Sequence, residues 1–261
     1  MCLIVFAWQV RADTPLILAA NRDEFYSRPT LPLAPWEDQP EILGGRDLEA
    51  GGGWLAVHRD GRFAALTNVR EATMPAFSTS RGVLLARYLQ SGQPPAPFLA
   101  SLDLKTCAGC NLLLGDCQTL LYASNRNGVR PRLLDPGIYG LSNAQLDTPW
   151  PKLTRAKAAF AAALKHWPDP EPFFDFLRDR RLAADADLPQ TGVSLALERK
   201  LSPIFIASPD YGSRASTLFC RHADGSVQIT ERRFGANGIF LGETTSPDKE
   251  IKEIDKVRQA W

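Results

Sequence analysis

The feature that most restricts how this chain can fold is a succession of short apolar runs joined by tight polar turns. "CLIVFAWQV" and "LILAA" are β-rich runs separated only by "RADTP". "GWLAV" and "RFAALTN" meet across Asp60-Gly61, and "STLFCRH" meets "SVQITERRF" across Asp224-Gly225. Asp-Gly accepts the positive φ angles of tight hairpin turns. Connections this short join antiparallel neighbours, because a parallel crossover takes about a dozen residues. "NLLLGD", "TLLYASN", "GIYGLSN" and "SPIFIAS" read as further strands. Helices are expected in "STSRGVLLARYLQSG", with Ser or Thr caps and a stop at Gly92, in "TPWPKLTRAKAAFAAALKHW", and in "PEPFFDFLRDRRL". Strand blocks alternating with helix blocks predict an α+β fold, and the pattern by itself leaves the order of the layers open. Gly51 to Gly53 mark a loop that bends sharply or approaches another segment closely. The segments around Pro32 and Pro94 read as surface loops. Neither repeats nor low-complexity tracts interrupt the sequence, which reads as one domain over 1–261.

With 261 residues, 44% of them hydrophobic and a formal net charge of +1, the chain can bury a sizeable core. That charge balance points away from nucleic acid and from an anionic membrane surface as partners. The opening apolar run is about ten residues long, short of the roughly 20 that span a bilayer, so no stable membrane span is expected. The five cysteines are Cys2, Cys107, Cys110, Cys117 and Cys220. An odd count without a signal peptide predicts reduced thiols and a cytoplasmic protein. "CAGC" at 107–110 lacks the second Cys or His pair of a zinc site, and the three histidines are isolated, so no metal and no cofactor is expected. No "GxSxG" elbow supports a serine triad.

Cys2 directly follows the initiator methionine. It reads either as a small hydrophobe in a strand or, once Met1 is removed, as a thiol and a free α-amine on one residue. The second form is a nucleophile with its own base. Reference pKa values of about 8.5 for the thiol and about 7.7–8.0 for the amine let the proton pass between them near neutrality. "NRDEF" sits at the end of the second run. It is either a solvated loop or, because a hairpin returns beside its first strand, a cluster close to Cys2. In the latter case Asp23 holds the amine and Arg22 lowers the thiol pKa. Asn68 in "ALTN" and Asn143 in "YGLSN" each end a strand, as turn residues or as amide donors to an oxyanion. Arg214 in "YGSRAST" either binds a substrate carboxylate or pairs with a loop acid.

"MCLIVF", "LILAANRDEFYSRP", "GGGWLAV", "AALTNVR", "YGLSNAQLDTPWPKL" and "YGSRASTL" occur in this order from Cys2 to Leu218. Together they resemble the NRDE family, also called the transport and Golgi organisation protein 2 family. The resemblance implies an N-terminal nucleophile hydrolase-like fold, a four-layer α-β-β-α sandwich of two antiparallel sheets. By similarity to the cysteine-class acylases, Cys2 is implied as the nucleophile, Asp23 as the amine-holding residue and Asn68 and Asn143 as polar groups around the oxyanion. Arg22 and Arg214 are implied as substrate-binding residues. The acylases carry an arginine immediately before their Asn, where this chain has Ala20, and here Arg22 follows Asn21. Two functions are implied: an amidohydrolase or acyltransferase on an acyl-containing substrate, or a non-catalytic carrier or trafficking protein for haem or an acyl lipid using the same pocket.

Overall fold

The computed structural model describes residues 2–72 and 79–246. In chain order the strands are β1 (Cys2–Trp8), β2 (Leu16–Phe25), β3 (Thr30–Trp36), β4 (Gln39–Asp47), β5 (Leu55–His58), β6 (Phe63–Asn68), β7 (Cys110–Gly115), β8 (Leu120–Ser124), β9 (Arg132–Leu133), β10 (Gly137–Leu141), β11 (Tyr211–Arg221), β12 (Val227–Phe234) and β13 (Phe240–Ser246). The helices are α1 (Arg81–Ser91), α2 (Pro95–Ala100), α3 (Pro151–Ala163), α4 (Glu171–Leu177) and α5 (Leu195–Lys200). One sheet has the order β10-β1-β2-β11-β12-β13, and the other runs β3 to β9 in sequence. All the strand pairings within these sheets are antiparallel.

β1 explains the layering. Its even-numbered residues Ile4, Phe6 and Trp8 pack with Leu55, Phe63 and Leu113 of the second sheet. Its odd-numbered residues Leu3, Val5 and Ala7 pack with Leu153, Phe160 and Phe173 of the helices. Successive strand side chains point to opposite faces, so a strand buried on both reads as an unbroken apolar run. On the far side of the second sheet, Leu66, Leu112 and Leu114 pack under Leu85, Tyr88 and Phe98 of α1 and α2. The result is the four-layer α-β-β-α order expected from the resemblance.

The sequence-based helices form, with Gly92 closing α1 in the left-handed conformation (φ 66°). Ser80 is the N-cap of α1 but makes no side-chain capping hydrogen bond. The glycine loop makes a close approach: a Cβ on Gly52 would stand 2.2 Å from the Gly82 carbonyl carbon, so loop and helix touch backbone to backbone. Three expectations fail. The segment around Pro32 is not a loop but edge strand β3, whose register with β4 breaks between Leu31 and Ala34. Proline lacks an N–H and is tolerated on a sheet edge for that reason. Pro94 is the N-cap of α2 rather than part of a continuous loop. "SPIFIAS" is not a strand. Pro203 cannot donate to a ladder, and the segment is held by Phe205 N–H to the Asp179 carbonyl (2.8 Å) and Ile206 N–H to Ser213 Oγ (3.0 Å).

Candidate active site

The pairing of β1 with β2 fixes the site. Cys2 lies opposite Arg22, so both side chains enter the space between the sheets. Asp23, one residue on, faces the helical layer. Asn21 shares that face and its Nδ2 donates to the carbonyls of Leu177 and Ile204, at 2.8 and 2.9 Å. Asp23 Oδ1 accepts from Ser213 Oγ at 2.6 Å, and the Asp23 backbone carbonyl accepts from Tyr211 Oη at 3.2 Å. The peptide between Arg22 and Asp23 passes beside the head of β1.

The Cys2 side chain lines a cavity of about 110 Å³, whose walls include Arg22, Asp23, Trp54, Asn68 and Arg81. Cys2 is 8% exposed. The Arg22 guanidinium lies 4.1 Å over the Trp54 ring and reaches Asp47 Oδ2 at 3.3 Å and Thr30 Oγ1 at 3.2 Å. Asp47 is shared with Arg28 (2.6 Å), another wall residue. Arg81, at the start of α1, donates to the Gly109 carbonyl at 3.2 Å. Burial pushes the Cys2 thiol up from its ordinary pKa, the Asp23 charge adds to the rise and Arg22 opposes it. Burial likewise raises the Asp23 carboxyl; the Lys152 ammonium and the Ser213 hydrogen bond act against that rise.

The structure brings Cys2, Arg22, Asp23 and Asn68 to one cavity. Asn143 stands behind it: its Nδ2 donates to the Asn68 carbonyl at 2.9 Å and its own carbonyl accepts from Arg70 N–H at 2.8 Å. Asn143 thus braces the strand end that carries Asn68. Arg214 lies elsewhere, on a second cavity whose walls include Arg22, Trp54 and Glu231. Its Nη1 donates to the carbonyls of Phe25 (3.0 Å) and Arg28 (2.5 Å), tying down the turn after β2. Cys107 and Cys110 sit in the core beneath α1 and α2, and Cys117 is exposed. Among the described residues no cluster of His, Cys, Asp and Glu is arranged to hold a metal ion.

Sequence reasoning passed over Trp54, Arg81, Ser213 and Lys152. Lys152 occupies the first turn of α3, where a lysine ordinarily reaches solvent, yet it is 2% exposed. Nothing in "PWPKL" separates a buried lysine from a surface one.

A family model described as Transport and Golgi organisation 2 matches residues 1–236. The chain belongs to the Transport and Golgi organisation 2 family. The Transport and Golgi organization protein 2 homologue of Bos taurus is 34% identical over 97% of this chain and 100% of its own length. The human homologue is 34% identical over 94% of this chain and 97% of its own. Among solved structures, a Caenorhabditis elegans N-acylethanolamine-hydrolyzing acid amidase ortholog is similar at a TM-score of 0.43 and 8% identity, over 83% of this chain and 92% of that one. A mutant conjugated bile acid hydrolase from Clostridium perfringens is similar at 0.48 and 8%, over 88% of each chain. Among the described residues no helix is long and apolar enough to cross a membrane.

Proposed function

We propose that this member of the family is an N-terminal cysteine hydrolase or acyltransferase acting on an amide, ester or thioester carbonyl. The observation that carries the reading is Cys2 on a cavity wall, in register with Arg22 and with Asp23 on the same wall. After removal of Met1, that nitrogen is an amine. It takes the thiol proton, and the sulfur attacks the carbonyl carbon, forming an S–C bond as the carbonyl π electrons move to oxygen. Asn68 is the donor to this oxyanion, on a strand end that Asn143 holds in place. One well-aimed donor of this kind contributes about 3 kcal/mol of barrier lowering. The ammonium, held by Asp23, returns its proton to the leaving group as the C–N, C–O or C–S bond breaks. Water or an amine acceptor then releases the acyl group from sulfur.

The test is intact-protein mass spectrometry after exposure to p-nitrophenyl butyrate and to a butyryl thioester, in a Cys117→Ser background because Cys117 is exposed. The expected result is a chain lacking Met1 that gains one butyryl group, an adduct lost in Cys2→Ala. Labelling of the same extent in Cys2→Ala refutes the reading. Reversible binding without any adduct on the mature chain favours the carrier.

A further inference from the structure

Among the buried charges that the mechanism leaves unused is Lys152. Lys152 is 2% exposed, and its Nζ has no hydrogen-bond partner among the described residues. A buried unpaired ammonium costs several kcal/mol unless a nearby charge offsets it. α3 packs on β1 and β10, with Leu153 against Gly140, so its first turn lies over the end of the sheet that begins with Cys2. Asp23 projects from β2 into the same layer, following Ala19 and Asn21 on that face. The charged groups near enough to act electrostatically on Lys152 come from four elements. They are Asp23 of β2, Arg70 just beyond β6, Cys2 of β1 and Glu198 of α5. Arg70 is already committed to Glu198 at 2.5 Å, with both side chains 4% exposed, and its guanidinium stacks 4.6 Å over Trp150. Of the groups facing Asp23, Lys152 is the foremost one favouring its ionised form, while Glu24 opposes it. Tyr211 of β11 also faces Asp23.

We propose that Lys152 is a positioning residue of the Cys2 site: its buried ammonium holds Asp23 as a carboxylate, which in turn holds the α-nitrogen of Cys2. The inference rests on the reading of Cys2 as the nucleophile. Lys152 is absent from the cavity wall, so it acts through Asp23 and not on the substrate. Burial brings the Lys152 ammonium down to about 8, and Asp23 opposes that fall, which is the reciprocal of the same coupling.

The experiment reads Asp23 directly. Protein labelled at the aspartate carboxyl carbons is titrated by NMR, with the Asp23 signal assigned by its loss in Asp23→Asn. Lys152→Met is expected to raise the Asp23 midpoint by about one pH unit or more, the usual effect of removing a close opposite charge. The acid limb of Cys2 acylation is expected to move up with it, and Lys152→Arg to restore both. An Asp23 midpoint that is the same in wild type and Lys152→Met overturns the proposal. If Lys152→Met does not fold, the Lys152 signal is followed in Asp23→Asn, where its midpoint is expected to fall; an unchanged midpoint overturns the proposal equally. A shifted Asp23 midpoint in a protein that never acylates Cys2 supports the coupling and refutes the nucleophile reading, so the two failures are distinguishable.

Discussion

Replacing Glu198 with alanine isolates the cost of a buried charge close to the site. Glu198 Oε2 accepts from Arg70 Nη1 at 2.5 Å, and both side chains are 4% exposed. Its other oxygen accepts from Thr191 N–H at 3.1 Å and Thr191 Oγ1 at 2.5 Å. The Thr191 donors are half-exposed and can turn to water, so their loss is the smaller contribution. The Arg70 guanidinium cannot: it is packed over Trp150 and becomes an uncompensated interior cation. Breaking a buried pair in this way costs about 3–5 kcal/mol. For a chain of this size each kcal/mol lowers Tm by about 2–4 °C, giving a drop of about 6–20 °C. Calorimetry and urea unfolding of Glu198→Ala, Arg70→Met and the double variant complete a thermodynamic cycle. The double variant is expected to be more stable than Glu198→Ala, because it removes the stranded charge. A loss below about 1 kcal/mol in Glu198→Ala, or a double variant costing the sum of the singles, refutes the argument.

Two further outcomes follow from the same geometry. Because Asp23 helps hold the Cys2 thiol above its ordinary pKa, Asp23→Asn is expected to move the pH profile of Cys2 alkylation by iodoacetamide toward acid, while slowing acylation through the loss of amine positioning; a shift toward alkali contradicts the first expectation and an unchanged acylation rate the second. Phe160 is fully buried, with ring centroids 5.3 Å from Phe173 and 6.2 Å from Phe176, so Phe160→Ala is expected to cost about 3–5 kcal/mol in urea unfolding, and an unchanged urea midpoint counts against the helical layer as drawn.

The strands and the Cys2 end of the site were legible because their information is local. β1 and β2 are apolar on both faces and joined by a short polar turn, so pairing them required no distant partner. That pairing alone put Arg22 opposite Cys2. What escaped the sequence depends on non-local packing. β3 carries two prolines and became a strand because β4 offered an edge. "SPIFIAS" has strand composition, but its hydrogen bonds go to Asp179 and Ser213 rather than to a ladder. Arg214 drew attention through its motif, while its position depends on the carbonyls it meets in the turn after β2. Lys152 is buried by the docking of α3, which no property of its own segment reveals.

The two-residue period of β2 also decides what positions 20 and 22 can hold. Residues 20 and 22 share the inter-sheet face, while Asn21 and Asp23 share the other. Same-face neighbours on a strand stand about 7 Å apart. Ala20 lies opposite Ile4 and is part of the core between the sheets, whereas Arg22 lies opposite Cys2 itself. An arginine two places later therefore enters the same gap one pleat nearer the sulfur, where stacking on Trp54 and pairing with Asp47 fix its guanidinium. Moving the arginine back, as Ala20→Arg with Arg22→Ala, would bury a cation between Ile4 and Leu18 with no carboxylate opposite, so the two positions are not interchangeable although they face the same way.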